Sequence, residues 1–122
     1  MDKEQWENSI KHATQEAGTY RPFFDAVIET LAGILEKRDS AQEMFERSGG
    51  HVIVKHTNKG GATNLEQNPT LRLINDLNRD ALAYWRELGL TPAGLKKLNE
   101  SALKPKENVS PLEEALSRLA GA

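Results

Sequence analysis

The sequence predicts a mainly helical protomer with one short strand-and-loop insertion. Three observations carry this expectation. Apolar residues recur at three- and four-residue steps through most of the chain. Glycine, proline and small polar residues punctuate those runs where helices should stop and start. Only residues 51–55, HVIVK, place three β-branched residues in a row.

The first helix is expected over residues 2–17, ending at Gly18. Trp6, Ile10, Ala13 and Ala17 form a narrow stripe at the i, i+4, i+7, i+11 spacing, suited to docking on a neighbouring helix. Tyr20-Arg21-Pro22 restarts the chain, and a second helix runs over residues 22–47. Its apolar positions are Phe24, Val27, Ile28, Leu31, Ile34, Leu35, Ala41, Met44 and Phe45. Asp25 and Glu29 near its start and Arg47 near its end complement the helix dipole. Gly49-Gly50 closes it. Residues 51–55 are the one expected strand, which must pair within the chain or with another subunit. Residues 56–67 read as a long polar loop containing Gly60-Gly61, and loops of that length are usually functional or disordered.

Residues 68–98, NPTLRLINDLNRDALAYWRELGLTPAGLKKL, are the most informative stretch. Asn68 can cap a helix and Pro69 fits its first position, where no N–H is needed. The helical pattern runs to Leu88. Gly89 is the expected left-handed terminator, and Leu90 can fold back onto Trp85. Thr91-Pro92 repeats the cap-plus-proline start, with Leu90 and Leu95 flanking it at the spacing of a hydrophobic staple. The third helix carries Leu71, Ile74, Ala81, Trp85 and Leu88 at core-type spacing, with Asn78 the polar member of that series. Leu73, Leu77 and Tyr84 run beside them. These are either two stripes for two partners, one within the chain and one on another subunit, or a single wide core-facing stripe. A short fourth helix follows over residues 92–101.

Residues 102–109 read as a linker. Ser110-Pro111-Leu112-Glu113 is a capping box opening a last helix with Leu112, Ala115, Leu116 and Leu119 on one face. A tethered amphipathic helix either binds a partner or folds back on its own domain. The chain therefore divides into a helical domain over residues 1–101 and a linker plus terminal helix over residues 102–122.

At 122 residues, 38% apolar and with few aromatic side chains, a lone protomer has a thin core, and association with copies of itself is a natural remedy. No run of 18 apolar residues is present to span a membrane, and MDKEQWENS lacks a signal-peptide core. The absence of cysteine excludes disulfides and thiolate-ligated zinc, and fits a reducing cytosol. The net charge of −2 hides a gradient. Residues 1–50 carry six Lys/Arg against ten Asp/Glu, whereas residues 51–109 carry nine against six. Nucleic acid would therefore meet the second half, in a salt-sensitive way.

No catalytic constellation emerges. His12, His51 and His56 have no carboxylate cluster at a metal-ligand spacing, and Lys59-Gly60-Gly61 lies outside any phosphate-loop register. The expectation is a protein that is not an enzyme and holds no cofactor or metal. Two basic groups are candidates for anion contact. One is His51, Lys55, His56, Asn58 and Lys59, with the Gly60-Gly61 amides offered to phosphate. The other is Lys96, Lys97, Lys104 and Lys106.

The Asn-Pro start, the long amphipathic helix with a late Trp, the LGLTP corner and the short basic helix together resemble the small terminase subunits of tailed bacteriophages. The resemblance is close over residues 68–98 and looser before them. It implies a non-catalytic subunit of a viral DNA-packaging machine that acts in the host bacterial cytoplasm. Such a subunit forms a homo-oligomeric ring, engages the double-stranded viral genome concatemer and recruits the large ATPase and nuclease subunit. On that reading Leu71, Leu73, Ile74, Leu77, Ala81, Tyr84, Trp85 and Leu88 supply the subunit interface. Lys55, His56, Asn58, Lys59, Lys96, Lys97, Lys104 and Lys106 are the candidates for DNA, and Leu112, Ala115, Leu116 and Leu119 dock on the large subunit. No helix-turn-helix signature is present in the front half. A small α-helical adaptor for other proteins, or a dimeric DNA-binding regulator, stays open as an alternative.

Overall fold

A computed structural model of the protein describes residues 1–100 together with Leu116, Arg118 and Leu119. Its elements in chain order are α1 (Lys3–Ala17), a short 3-10 turn (Pro22–Phe24), α2 (Asp25–Arg47), β1 (Ile53–Thr57), β2 (Thr63–Gln67), α3 (Pro69–Glu87) and α4 (Pro92–Asn99). The helical class is as expected. The insertion is not: it is two strands, and residues 63–67 belong to the second rather than to a polar loop.

Local chemistry explains the helix boundaries. Asp2 lies outside α1 as its cap: its carboxylate accepts from the Gln5 amide at 2.8 Å, and the Asp2 amide donates back to Gln5 Oε1 at 3.0 Å. Gly18 ends α1 at φ 74°, a conformation glycine takes without a Cβ clash. Pro22 begins a 3-10 turn instead of the second helix, which starts three residues later than expected. The LGLTP corner has the hydrogen bonds of a Schellman ending: the Gly89 amide donates to Arg86 O at 3.0 Å and the Leu90 amide to Trp85 O at 2.9 Å. Thr91 Oγ1 then accepts from the Gly94 amide at 3.0 Å and opens α4.

α2 is central, with α1 and α3 both packed on it. Ile10 of α1, Ile28, Leu31, Ala32 and Leu35 of α2, and Ala81 and Leu88 at the α3 end form one buried cluster. Trp6, Tyr20, Phe24, Val27, Ile34, Tyr84, Trp85 and Leu90 close over it. The stripe expected on α1 is shifted. Ile10 and Thr14 are the buried pair, whereas Ala17 is exposed. Thr14 is tolerated there because its hydroxyl donates to Lys11 O at 2.8 Å. On α2, Ala32 is buried and Met44 is exposed, the reverse of what spacing alone implies.

Two polar arrangements fix the helices. Asp39 on α2 accepts from Trp6 Nε1–H at 2.7 Å and from Arg38 at 3.0 Å, and the Arg38 guanidinium lies 5.5 Å from the Trp6 ring. Burial works against ionising Asp39. The indole and guanidinium hydrogen bonds, with the Met1 amine, outweigh it and hold the carboxyl below its ordinary range. At the opposite end of α2, Thr19 Oγ1 donates to Leu88 O at 2.9 Å, tying the corner after α1 to the end of α3.

Candidate nucleic-acid and subunit interfaces

The hairpin sits between the end of α2 and the start of α3. Its register pairs Ile53 with Gln67, Val54 with Glu66, Lys55 with Leu65, His56 with Asn64 and Thr57 with Thr63. Asn68 joins it to the helices in three ways. Its amide donates to Val52 O at 2.8 Å, its Nδ2 donates to His51 O at 2.9 Å, and its Oδ1 caps α3 by accepting from the Thr70 amide at 3.0 Å. These bonds satisfy the polar atoms of a residue that is largely buried.

The hairpin rearranges the first basic group. Lys55 and His56 are adjacent in sequence and therefore lie on opposite faces. His56 shares its face with Glu66, 3.9 Å away, so β1, which has no acidic residue of its own, acquires a carboxylate from the second strand. The Gly60 and Gly61 amides are not offered to an anion. Asn58 Oδ1 accepts from the Gly60 and Ala62 amides, both at 3.0 Å, and the Gly61 amide donates to Asn58 O at 3.0 Å. The expected phosphate nest is thus a turn closed on itself, with Asn58 positioning it. Lys59 is exposed at its tip.

The second basic group is at the other end of the molecule. α4 turns back at the LGLTP corner, where Leu98 and Thr19 crowd Gly89. That corner meets the start of α2, whereas the hairpin leaves from its end. The 23 residues of α2 separate them by roughly 34 Å at 1.5 Å per residue. Lys96 and Lys97 are exposed on the last turn of α4. Lys104 and Lys106 lie outside the described residues. Lys59 and the α4 lysines therefore belong to opposite poles and make no single surface on one protomer.

The eight residues expected at a subunit interface divide by burial. Ile74, Ala81 and Leu88 are inside the protomer. Tyr84 and Trp85 pack on the core cluster. Leu71 and Leu77 are half-buried, and Leu73 is 50% exposed. Asn78 is exposed and accepts from Arg38 across the α2–α3 contact at 3.5 Å. Leu73 and Leu77, with Ala41 and Met44 of α2, line an open groove of about 550 Å³ rimmed by Asp2, Glu36 and Lys37. Spacing places Met44 with the core, and its 62% exposure instead adds a residue to this face. Only α3–α2 antiparallel packing reveals that neighbourhood. Leu116 and Leu119, expected on the last helix, are exposed, while Leu112 and Ala115 lie outside the described residues.

Among the described residues no three His, Asp or Glu side chains converge as metal ligands, and no helix is long and apolar enough to cross a membrane. A family model described as phage terminase, small subunit, matches residues 3–104. No curated protein and no solved structure matches the chain.

Proposed function

Because the chain belongs to the family of phage terminase small subunits, we propose that it assembles into a homo-oligomeric ring that presents viral DNA to the large terminase subunit. The family is that of the non-catalytic subunit of the DNA-packaging machine, acting with the large subunit. The match over residues 3–104 is the observation that carries this reading, since it takes in every helix and strand of the folded body.

Three features support its finer parts. The groove lined by Met44, Leu73 and Leu77 leaves apolar surface that α2 and α3 do not cover for each other, as an inter-subunit contact requires. Residues 1–101 act as the assembly and DNA-engaging domain. Lys59 at the hairpin tip is the DNA contact, with Lys55 beside it, and a ring multiplies one weak contact per subunit into useful avidity. Residues 102–122 act as tether and docking helix for the large subunit, using Leu112, Ala115, Leu116 and Leu119. The exposure of Leu116 and Leu119 is in keeping with that role. The setting is the cytoplasm of the bacterial host.

Native mass spectrometry tests the assembly, and a chain that stays monomeric at all concentrations and salt conditions refutes it. Duplex binding measured against salt tests the tip. Lys59→Ala should weaken binding uniformly across DNA sequences and lower the salt slope by about one for each lysine in contact. An unchanged slope would transfer the role to the α4 pole.

A further inference from the structure

Among the described residues, nothing pairs with either outer edge of the hairpin. Every strand residue except Val54 is exposed, so no helix among the described residues covers either face. Val52 and Ile53 are each 54% exposed and Leu65 is 71% exposed. Two five-residue strands with this much apolar surface in water are marginal on their own.

The cross-strand bonds fix which backbone groups face outward. The Asn68 amide donates to Val52 O, and the Asn58 amide donates to Ala62 O. By the alternation of an antiparallel ladder, Val54 and His56 turn their N–H and C=O toward β2. Ile53, Lys55 and Thr57 turn theirs to the outer edge of β1. On β2 the outward set is Thr63, Leu65 and Gln67, the registered partners of those three. Each edge therefore offers what the other needs, in the same register as the pairing inside the hairpin.

We propose that β1 of one copy pairs antiparallel with β2 of the next, so that the hairpins of the assembly join in one continuous sheet. Charge disfavours the symmetric pairing of β1 with a second β1. A β1–β1 contact centred on Lys55 sets lysine against lysine, and like charges directly opposite destabilise a ladder. In the β1–β2 contact Lys55 faces Leu65, and each His56 gains a second Glu66 within diagonal reach beside its own at 3.9 Å. Ile53 and Leu65 become a shared apolar row. The contact is head-to-tail, and such contacts propagate until a ring closes. The Lys59 tips stay free at the end of the sheet.

This inference rests on the ring reading, and one experiment separates the two. The chain has no cysteine, so a single introduced thiol can crosslink only between copies. Chains carrying Lys55→Cys and chains carrying Leu65→Cys are co-expressed, oxidised and run on a non-reducing gel, with native mass spectra of the same samples. Paired residues at such a ladder position stand about 5.5 Å apart between Cα atoms, within disulfide reach. The mixture should gain a crosslinked pair that neither variant forms alone. An intact ring without that pair, or self-crosslinking of either variant, overturns the hairpin pairing and leaves the ring standing. Monomers without crosslinks overturn both.

Discussion

Glutamate placed at Leu73 and, in a separate variant, at Ile74 puts the same charge on two sides of α3 about 100° apart. Leu73 is 50% exposed, and Ile74 is 4% exposed. Full burial of a leucine contributes about 1.5–3 kcal/mol, so the folded protomer has gained only about half of that at Leu73. Leu73→Glu should cost the protomer about 1 kcal/mol, a small part of the roughly 5–15 kcal/mol typical of a domain. Helicity and melting should change little. In the assembly the outcome differs. If Leu73 lies between subunits, its carboxylate is stripped of water at every interface, at several kcal/mol each, and the ring should fall apart. Ile74→Glu should do the opposite, losing about 2–3 kcal/mol of burial and adding an unpaired buried charge, together enough to unfold the protomer. Circular dichroism melts and native mass spectra of the two variants read both effects. A ring that persists in Leu73→Glu refutes the interface, and a Leu73→Glu protomer that unfolds like Ile74→Glu shows the residue to be core.

Other substitutions test separate parts of the structure. Gly33 is inside α2, and a Cβ added there would meet nothing within 4 Å, so Gly33→Ala should stabilise the protomer by about 0.5–1 kcal/mol and raise its melting temperature; a fall would mean that the backbone there meets something in the assembly. A Cβ at Gly94 would collide with Arg86 O, so Gly94→Ala should free α4 and speed amide exchange over residues 92–99, and unchanged exchange would contradict the packing of α4 on α3. Asp39 has a folded-state pKa below its ordinary value, so its contribution is complete above the ordinary carboxylate range and is lost as pH falls through the folded value. Trp6→Phe keeps the ring but removes the indole donor, and should move the acid-unfolding midpoint to higher pH; an unmoved midpoint would show that the Trp6–Asp39 bond contributes nothing.

The helix boundaries were legible because their causes are local. Asn68, Pro69, Gly89, Thr91 and Pro92 each act on a backbone group within a few residues, and each has the role that its side chain dictates. β2 was illegible for the converse reason. TNLEQ has one apolar residue and no buried face, and it is a strand only because β1 lies opposite it. The Trp6–Asp39–Arg38 cluster was hidden too, since it joins residues more than thirty apart in sequence.

The candidate sites divide in the same way. Sequence by itself determined that the chain is mainly helical, where its longest helix turns into the next, which residue types supply positive charge, and the family to which residues 3–104 belong. Tertiary structure alone decided which of those residues can act together. Packing α3 antiparallel on α2 took Ile74, Ala81 and Leu88 inside and left Leu73 and Met44 facing solvent. Pairing β1 with β2 put Lys55 and His56 on opposite faces, spent the glycine-turn amides on Asn58, and held Lys59 an α2-length away from Lys96 and Lys97. Neighbourhood along a chain follows from spacing, but a surface is shared between elements, and only their packing fixes which side chains it contains.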